Sequence, residues 1–586
     1  MTSSENTLFI NYDLNEQSTF PFLNTNPDLI AFHLIDYLDK DDIISLFLTC
    51  KKIFTILNQS FVWHKLFKKT FNESDTPYKM TIYKWPQLYR LRSRSKLLVW
   101  GHALRSRLGF QFNELNNSQF ELKNGFRRVV KLIKISDKQL DNEIVADITS
   151  GGFSFQILTS SGKLYCTGNS LGSWHGSLGV CEPGPRVRDP QFQPLVQTNS
   201  FMGNIYPVTI SDPNADNSKE NNTRKHISVS SGRGHFISLD NEGSLWSWDS
   251  VGQKNQGIEL KLYGLNNELL VNDADRKIVL IKAGWRSSSA LISNLGIVVW
   301  NKRDNVRNDR RSDESANDLP HLDNHPTANV KCRIVSNTKN IGNDFEDDSV
   351  IVDYVVLDGF LIYITALGNL FRVNLDHLND EINSSNYYLK SYHLMGFEKY
   401  IKEFDVNKFL KPKFIRLSGS YNKFSCITNS DLVLLGDSDS KFDSPPKIID
   451  FLQHRGCISI EVGDYHYLAL LQNGELYSWG CESSLNGCLG LGRVDDMVRN
   501  GARRDGIDIR VTEPTRVPTR GKVLAIAAGG HQSAAIVAFD SEDEDDDAED
   551  IGVQQPTEGE QESSRHRPHR VPITRDLHMR VRLARR

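Results

Sequence analysis

The chain has 586 residues, 69 Lys and Arg against 73 Asp and Glu, and a formal net charge of −4. The length allows a large fold plus a small one, and the near-neutral balance gives no global attraction to nucleic acid. Eight cysteines occur without a CxxC pair, no unbroken apolar stretch is long enough to span a bilayer, and the N-terminal residues lack a basic segment followed by an apolar core. A disulfide framework, a zinc site, a membrane span and a secretory signal are therefore not indicated.

Residues 27–67 carry apolar side chains at helical spacing: Leu29, Ile30, Leu34, Ile35 and Leu38. Asn26 is placed as an N-cap with Pro27 at the first helical position. The turn Asp39-Lys40-Asp41-Asp42 stops that helix and caps a second one marked by Ile43, Leu46, Phe47 and Cys50. A third helix is expected through Ile53, Phe54 and Leu57, and a fourth, capped by Ser60, through Trp63, Leu66 and Phe67. So short an array cannot bury this many apolar side chains in itself, and the surplus points to a protein partner. Tyr78 to Lys96 reads as a helical or extended spacer, with Arg90, Arg92, Arg94 and Lys96 as a solvated basic strip.

From there an internal repeat takes over. In each unit a Gly, usually with a polar residue three later, precedes an apolar strand, and a Gly-centred turn then leads to a second strand ending in Trp-Gly or a relative of it. Units occur at 148–168, 227–248, 281–300, 354–373, 415–436 and 458–492. Gly463 and Trp479, Gly232 and Trp248, Gly284 and Trp300, Gly151 and Thr167, and Gly419 and Leu435 each lie sixteen positions apart. One further unit is split: Val523–Phe539 holds its first strand, and Leu97–Gly109 holds the rest. A unit divided between distant parts of a chain is what a closed ring requires, because the two parts must pair to leave no free edge. His235 and His466, with Ser154, Ser287 and Asn422 in the same slot, are read as packing or hydrogen-bonding residues inside blades rather than as ligands.

Insertions interrupt the units at Cys181–Lys225, Asn301–Ser349 and Asn374–Lys411. Asp304–Asn329 and Arg493–Lys522 are expected to be mobile loops. Asp540–Asp550 is almost wholly acidic and Arg565–Arg586 strongly basic, and 540–586 is expected to be a disordered tail. The resulting division is a tail over 1–25, a helical domain over 26–71, a linker over 72–96, a ring over 97–539 and the tail over 540–586.

The repeat, carried by Gly232/His235/Gly243/Trp248, Gly463/His466/Gly474/Trp479/Gly480 and the Leu489–Gly492 run, resembles the RCC1-repeat seven-bladed β-propeller. It is weak at 354–373 and 415–436, where Trp-Gly has become Val373-Asn374 and Leu435-Gly436. The N-terminal array resembles an F-box by Pro27, Leu29-Ile30, Leu34-Ile35, Leu38-Asp39, Asp42-Ile43, Leu46, Leu48, Cys50-Lys51, Leu57, Trp63 and Leu66. It departs from the pattern at Asn26, where an apolar residue usually precedes the proline, and at Ile53, where an aromatic is common. The fold class expected is thus mainly β, a seven-bladed propeller preceded by a small all-α domain.

Together the two motifs resemble the fungal SCF-associated factor type of substrate receptor. That resemblance implies a Skp1-like adaptor, through it a cullin/RING complex, and a protein substrate on the propeller that is ubiquitinated for degradation. It implies an intracellular chain, cytoplasmic or nuclear, with no catalysis of its own and no cofactor. Pro27, Leu29, Ile30, Leu34, Ile35, Leu38, Ile43, Leu46 and Cys50 would then be adaptor-binding residues of the F-box. Arg499, Arg503 and Arg504 are candidate substrate contacts, able to pair with carboxylates or a phosphate. An RCC1-type guanine-nucleotide exchange factor or a chromatin-binding propeller is the alternative, since one fold hosts many functions. No GxSxG, HExxH or P-loop lysine motif supports an enzyme.

Overall fold

A computed structural model describes residues 37–38, 40–49, 51–71, 83–103, 107–110, 119–123, 126–168, 206–207, 209–210, 224–248, 256–272, 275–301, 327–336, 338, 348–376, 378, 380–404, 411–483 and 486–539. Met1–Asp543 forms one compact unit, and the second, Glu544–Arg586, lies outside the described residues.

Four helices come first: α1 (Lys40–Phe47), α2 (Lys51–Leu57), α3 (Ser60–Phe71) and α4 (Trp85–Ser93). The expected helix over 27–38 falls outside the described residues except for Tyr37 and Leu38. Ser60 is the first residue of α3 rather than its cap, and Gln59 accepts the first backbone bonds from Val62 and Trp63. On α3 the buried residues are Val62, Leu66, Phe67 and Phe71, a single helical stripe. α4 begins at a proline-bearing turn where the Lys84 amide donates to Gln87 Oε1 at 3.0 Å. It packs on α3 through Tyr89, whose ring lies 5.4 Å from those of Trp63 and Phe71.

The spacer's basic strip needs correction. Arg92 is buried, donating from Nη2 to the Ala146 carbonyl at 2.7 Å with its guanidinium 5.4 Å from the Phe71 ring. Lys96 pairs with Asp137 at 2.6 Å, so only Arg90 and Arg94 stand exposed. Arg92 lies on the buried face of α4 with Leu88, which the charge run concealed.

The remainder forms seven sheets. Their innermost strands are Val145–Ser150 in blade 1, His226–Ser231 in blade 2, Ile278–Ala283 in blade 3 and Ile351–Val356 in blade 4. Phe414–Ser420, Cys457–Val462 and Gly521–Ala528 serve blades 5, 6 and 7. Each runs antiparallel to the next strand through a tight loop, giving the meander that a propeller repeats radially. Blade 7 is composite: Lys96–His102 lies between Gln532–Phe539 and Phe126–Lys134. Its register runs from Lys96↔Val537 to Gly101↔Gln532.

The repeat glycines are explained by blade contact. A Cβ on Gly232 would lie 2.2 Å from the Gly284 carbonyl of blade 3, and one on Gly463 2.5 Å from the Gly529 carbonyl of blade 7. The histidines also bridge neighbouring blades, rather than acting inside one. His235 Nε2 bonds Ser288 Oγ at 2.8 Å, and His466 Nε2 bonds Ser533 Oγ at 2.7 Å. Trp100, Trp246, Trp248 and Trp300 are fully buried. In blade 5 Ser420 pairs with Lys423 around a turn at Tyr421 and Asn422, so Phe424, which pairs with Gly436 as His466 pairs with Gly480, occupies the histidine slot in place of Asn422.

One expected loop, Arg493–Lys522, is ordered. Within Arg493–Lys522, α6 (Val494–Arg499) follows α5 (Met395–Phe404) in chain order, and strands Arg503–Asp505 and Asp508–Arg516 complete blade 6. Val494, Met497, Ile509, Val511 and Val517 are buried there, an apolar set that the arginines obscured. At the end of Asp304–Asn329, residues 327–329 begin the strand Thr327–Lys331, parallel to Gln256–Tyr263 of blade 2, while 304–326 lie outside the described residues.

Candidate interaction surfaces at the two ends of the ring

The helices sit at one end of the ring. Arg92 reaches Ala146 near the start of blade 1's inner strand, and α4 leads directly into Lys96, which pairs at the Phe539 end of its partner strand. Phe67, Phe71, Leu88 and Arg92 line that end of an axial channel of about 790 Å³. α1 and α2 pack on each other and on α3, with Phe47 5.3 Å from Phe54 and 5.9 Å from Trp63. Apolar side chains remain outside: Leu48 is 84% exposed, and Tyr37 and Phe54 are also exposed.

Of the candidate adaptor-binding residues, Ile43 is buried and belongs to the core of the helical array, while Leu38 and Leu46 are half-buried against that core. Pro27, Leu29, Ile30, Leu34, Ile35 and Cys50 lie outside the described residues.

The loops joining each blade's first two strands meet at the other end. There Arg233 of blade 2 pairs with Asp464 of blade 6 at 2.9 Å, across the ring. Its guanidinium lies 3.7 Å from the Trp285 ring centre and 5.7 Å from that of Phe153, which Arg107 approaches at 4.7 Å. Trp285 of blade 3 meets Tyr421 of blade 5 at 4.2 Å, and Tyr465 stacks on His531 at 5.0 Å. Arg286 stands 3.4 Å from Asp358 and is 72% exposed. Burial raises Asp464 above the usual carboxylate range and lowers His531 to about 4, so that ring is neutral near pH 7.

Charged groups also line the channel between the ends. Asp353 accepts the Tyr354 and Leu417 amides at 2.9 and 2.8 Å, and Arg416 donates to the Ile458 carbonyl at 2.8 Å. Burial pushes Glu461 up to about 7 and also raises Asp147. Among the described residues no His, Cys, Asp and Glu group has the geometry to hold a metal.

The three candidate arginines are not brought together at the mouth. Arg499 is exposed on α6 and pairs with Asp496. Arg503 and Arg504 are exposed on blade 6's outermost strand, opposite Arg510 and Ile509. That strand lies towards the mouth end, because Arg510 pairs with Cys481, whose amide bonds the Tyr465 carbonyl. The mouth itself went unread in the sequence. Its signal is the pair of residues between each repeat Gly and the polar residue three later, such as Asp464-Tyr465 after Gly463.

Two family profiles described as regulator of chromosome condensation (RCC1) repeat match residues 457–487 and 473–536. SCF-associated factor 1 of Saccharomyces cerevisiae is 24% identical, with 88% of this chain and 98% of the relative covered. F-box protein pof9 of Schizosaccharomyces pombe is 24% identical, with 89% and 91% covered. The human WBSCR16 structure aligns at 15% identity with a TM-score of 0.46, covering 76% of this chain and 99% of that one. The chain is a seven-bladed β-propeller, with RCC1 repeats matched over residues 457–536, behind an N-terminal helical region. In this two-part architecture it is similar to the fungal SCF-associated factors. Among the described residues no helix is long and apolar enough to cross a membrane.

Proposed function

We propose that this chain is the non-catalytic substrate receptor of an SCF-type ubiquitin ligase. The F-box region docks a Skp1-like adaptor and, through it, a cullin/RING complex, while the propeller holds the protein to be ubiquitinated. The observation that carries this reading is the division of the molecule between its two ends. α3 and α4 seat the helical array on one end, leaving Leu48, Tyr37 and Phe54 exposed, and the opposite mouth is built from loops held on rigid strands. The similarity to SCF-associated factor 1 and pof9 along nearly their whole length supports the same division. The receptor's contribution is proximity: it holds a substrate lysine near a charged conjugating enzyme and raises its local concentration, to the order of millimolar for a short tether.

The test is affinity purification of the full chain and of a chain lacking residues 1–75. Loss of the adaptor and cullin from the shortened chain, with other partners retained, is the expected result. Adaptor binding that survives the deletion removes the reading.

A further inference from the structure

The sites left unexplained are the charged channel, the buried blade contacts and the mouth. The channel's charges are satisfied by backbone groups and by one another, and the blade contacts serve packing. The mouth is different, because its residues occupy turn positions that the fold does not need filled with large side chains. In blade 7 the corresponding pair is Gly530-His531 and in blade 1 it is Gly152-Phe153, so the turn itself accepts glycine.

Large rings and guanidinium groups nonetheless gather there. Phe153, Trp285, Tyr421, Tyr465 and His531 supply the rings, and Arg233 and Arg286 the exposed or part-exposed cations. Trp, Tyr and Arg are the side chains that dominate binding energy at protein interfaces, because they combine large rigid area with directed hydrogen bonding. Aliphatic side chains are absent from these turn pairs in blades 1, 2, 3, 5, 6 and 7. Charge sets the sign of the ligand. Among the described residues, Arg107, Arg233, Arg286 and Lys423 stand against Asp358 and Asp464, while the further carboxylates Asp437 and Asp508 are offset by Lys447 and Arg510, so a cationic surplus remains. Tyr465, at 51% exposure, and Arg286, at 72%, are the groups best placed to meet a ligand.

We propose that the mouth opposite the helical region captures an extended, carboxylate-bearing segment of the substrate protein. Arg286 and Arg233 receive the carboxylates, and the Tyr465–His531 and Trp285–Tyr421 pairs receive flanking rings or apolar side chains. This rests on the receptor reading and names the chemistry that the receptor selects. It moves substrate capture from the outer rim of blade 6, where Arg503 and Arg504 lie, to the axis of the ring.

The test uses the full chain purified with its adaptor and three fluorescent probes: a Glu–Tyr copolymer, a Lys–Tyr copolymer and single-stranded oligo-dT. The Glu–Tyr copolymer is expected to bind, to weaken as salt is raised, and to lose about tenfold or more in affinity in the Arg286→Glu/Tyr465→Ala variant. The Lys–Tyr copolymer should fail to compete. Both substitutions are at exposed positions, and an unchanged melting temperature and retained adaptor verify that the variant is folded. The proposal is overturned if the wild type does not bind the Glu–Tyr copolymer or if the double variant binds it equally well. It is also overturned if Arg503→Glu/Arg504→Glu abolishes binding while the mouth variant does not, or if oligo-dT binds more tightly than the acidic copolymer. Failure of the wild-type chain to retain an adaptor overturns the receptor reading instead and leaves the copolymer measurement to stand by itself.

Discussion

Trp100 donates its indole Nε1–H to the carbonyl of Cys488 at 2.9 Å, joining residues 388 apart in the chain. The same carbonyl accepts the Ser533 hydroxyl at 2.9 Å. Because the Ser533 proton is spent there, Ser533 Oγ accepts from His466, which fixes the histidine as its Nε2–H tautomer. One carbonyl thus gathers the early strand of the composite blade, its late strand and the neighbouring blade.

Gly490 lies over that indole. Its φ is +68°, and a Cβ there would stand 2.7 Å from Trp100 Nε1. Gly490→Ala is expected to cost about 1–3 kcal/mol from backbone strain and crowding. Trp100→Phe removes the donor but leaves Cys488 its Ser533 bond. Urea unfolding compares the two, and a neutral Gly490→Ala would show that the connector yields.

Arg128 of blade 7 and Glu482 of blade 6 form an ion pair that is almost wholly buried. Arg128 also donates to the Gly492 carbonyl at 2.9 Å, and Glu482 accepts the Leu489 amide at 2.8 Å. Removing either partner strands a buried charge, so Arg128→Ala and Glu482→Ala should each cost about 3–5 kcal/mol. The double replacement Arg128→Met/Glu482→Leu should cost less than either single change. A double variant as unstable as the sum of the singles would contradict this.

Burial lowers His466 to about 3 from an ordinary value of 6.5, so its stabilisation is complete above pH 6.5 and is lost as pH falls towards the folded value. Glu461 has the opposite sign. Raised from 4.5 to about 7, it contributes fully below pH 4.5 and loses that contribution as pH rises to 7. Between pH 4.5 and 6.5, His466→Gln should therefore flatten the rise of stability with pH, and Glu461→Gln should steepen it. Each effect is at most about 1.4 kcal/mol per pH unit. Unfolding midpoints measured across that range decide it, and identical slopes in all three proteins would refute both assignments.

A chain ending at Arg520 lacks both Gly521–Ala528 and Gln532–Phe539 and leaves Leu98, Val99 and Trp100 on an open edge. It should aggregate, whereas a chain ending at Asp543 should melt as the full chain does. Size-exclusion chromatography and thermal melts separate the outcomes.

Leu48 offers a surface test of the helical end. At 84% exposure, Leu48→Asp should change stability by no more than about 0.5 kcal/mol. If Leu48 is buried by the adaptor, the loss of about 1.5–3 kcal/mol lowers affinity at least tenfold. Adaptor titration against the variant measures it, and unchanged affinity would place the adaptor elsewhere.

Much of the ring was legible because its repeat is physical. Gly463 recurs as Gly232 since both approach the next blade's backbone, and Trp100 and Trp248 recur since each fills an inter-blade space. Blade 5 slipped because a turn at Tyr421 replaced the usual loop, and spacing alone cannot register a change of turn. Arg92 was misread because a guanidinium with a carbonyl partner looks in sequence like any solvated charge. The mouth escaped for a different reason: Arg233 and Asp464 are far apart in sequence, and only closure of the ring sets them face to face.

The strand Lys96–His102 begins just beyond α4 and ends beside Gln532 at the mouth. Seven residues of strand measure roughly 23 Å, and both ends are anchored, so the helical end and the mouth are the jaws of a caliper rather than the ends of a tether. A flexible link would let any lysine on a captured protein come within reach. On the receptor reading proposed above, a fixed gauge admits those at one height above the grip, so the position of a lysine relative to the captured segment becomes part of what is recognised.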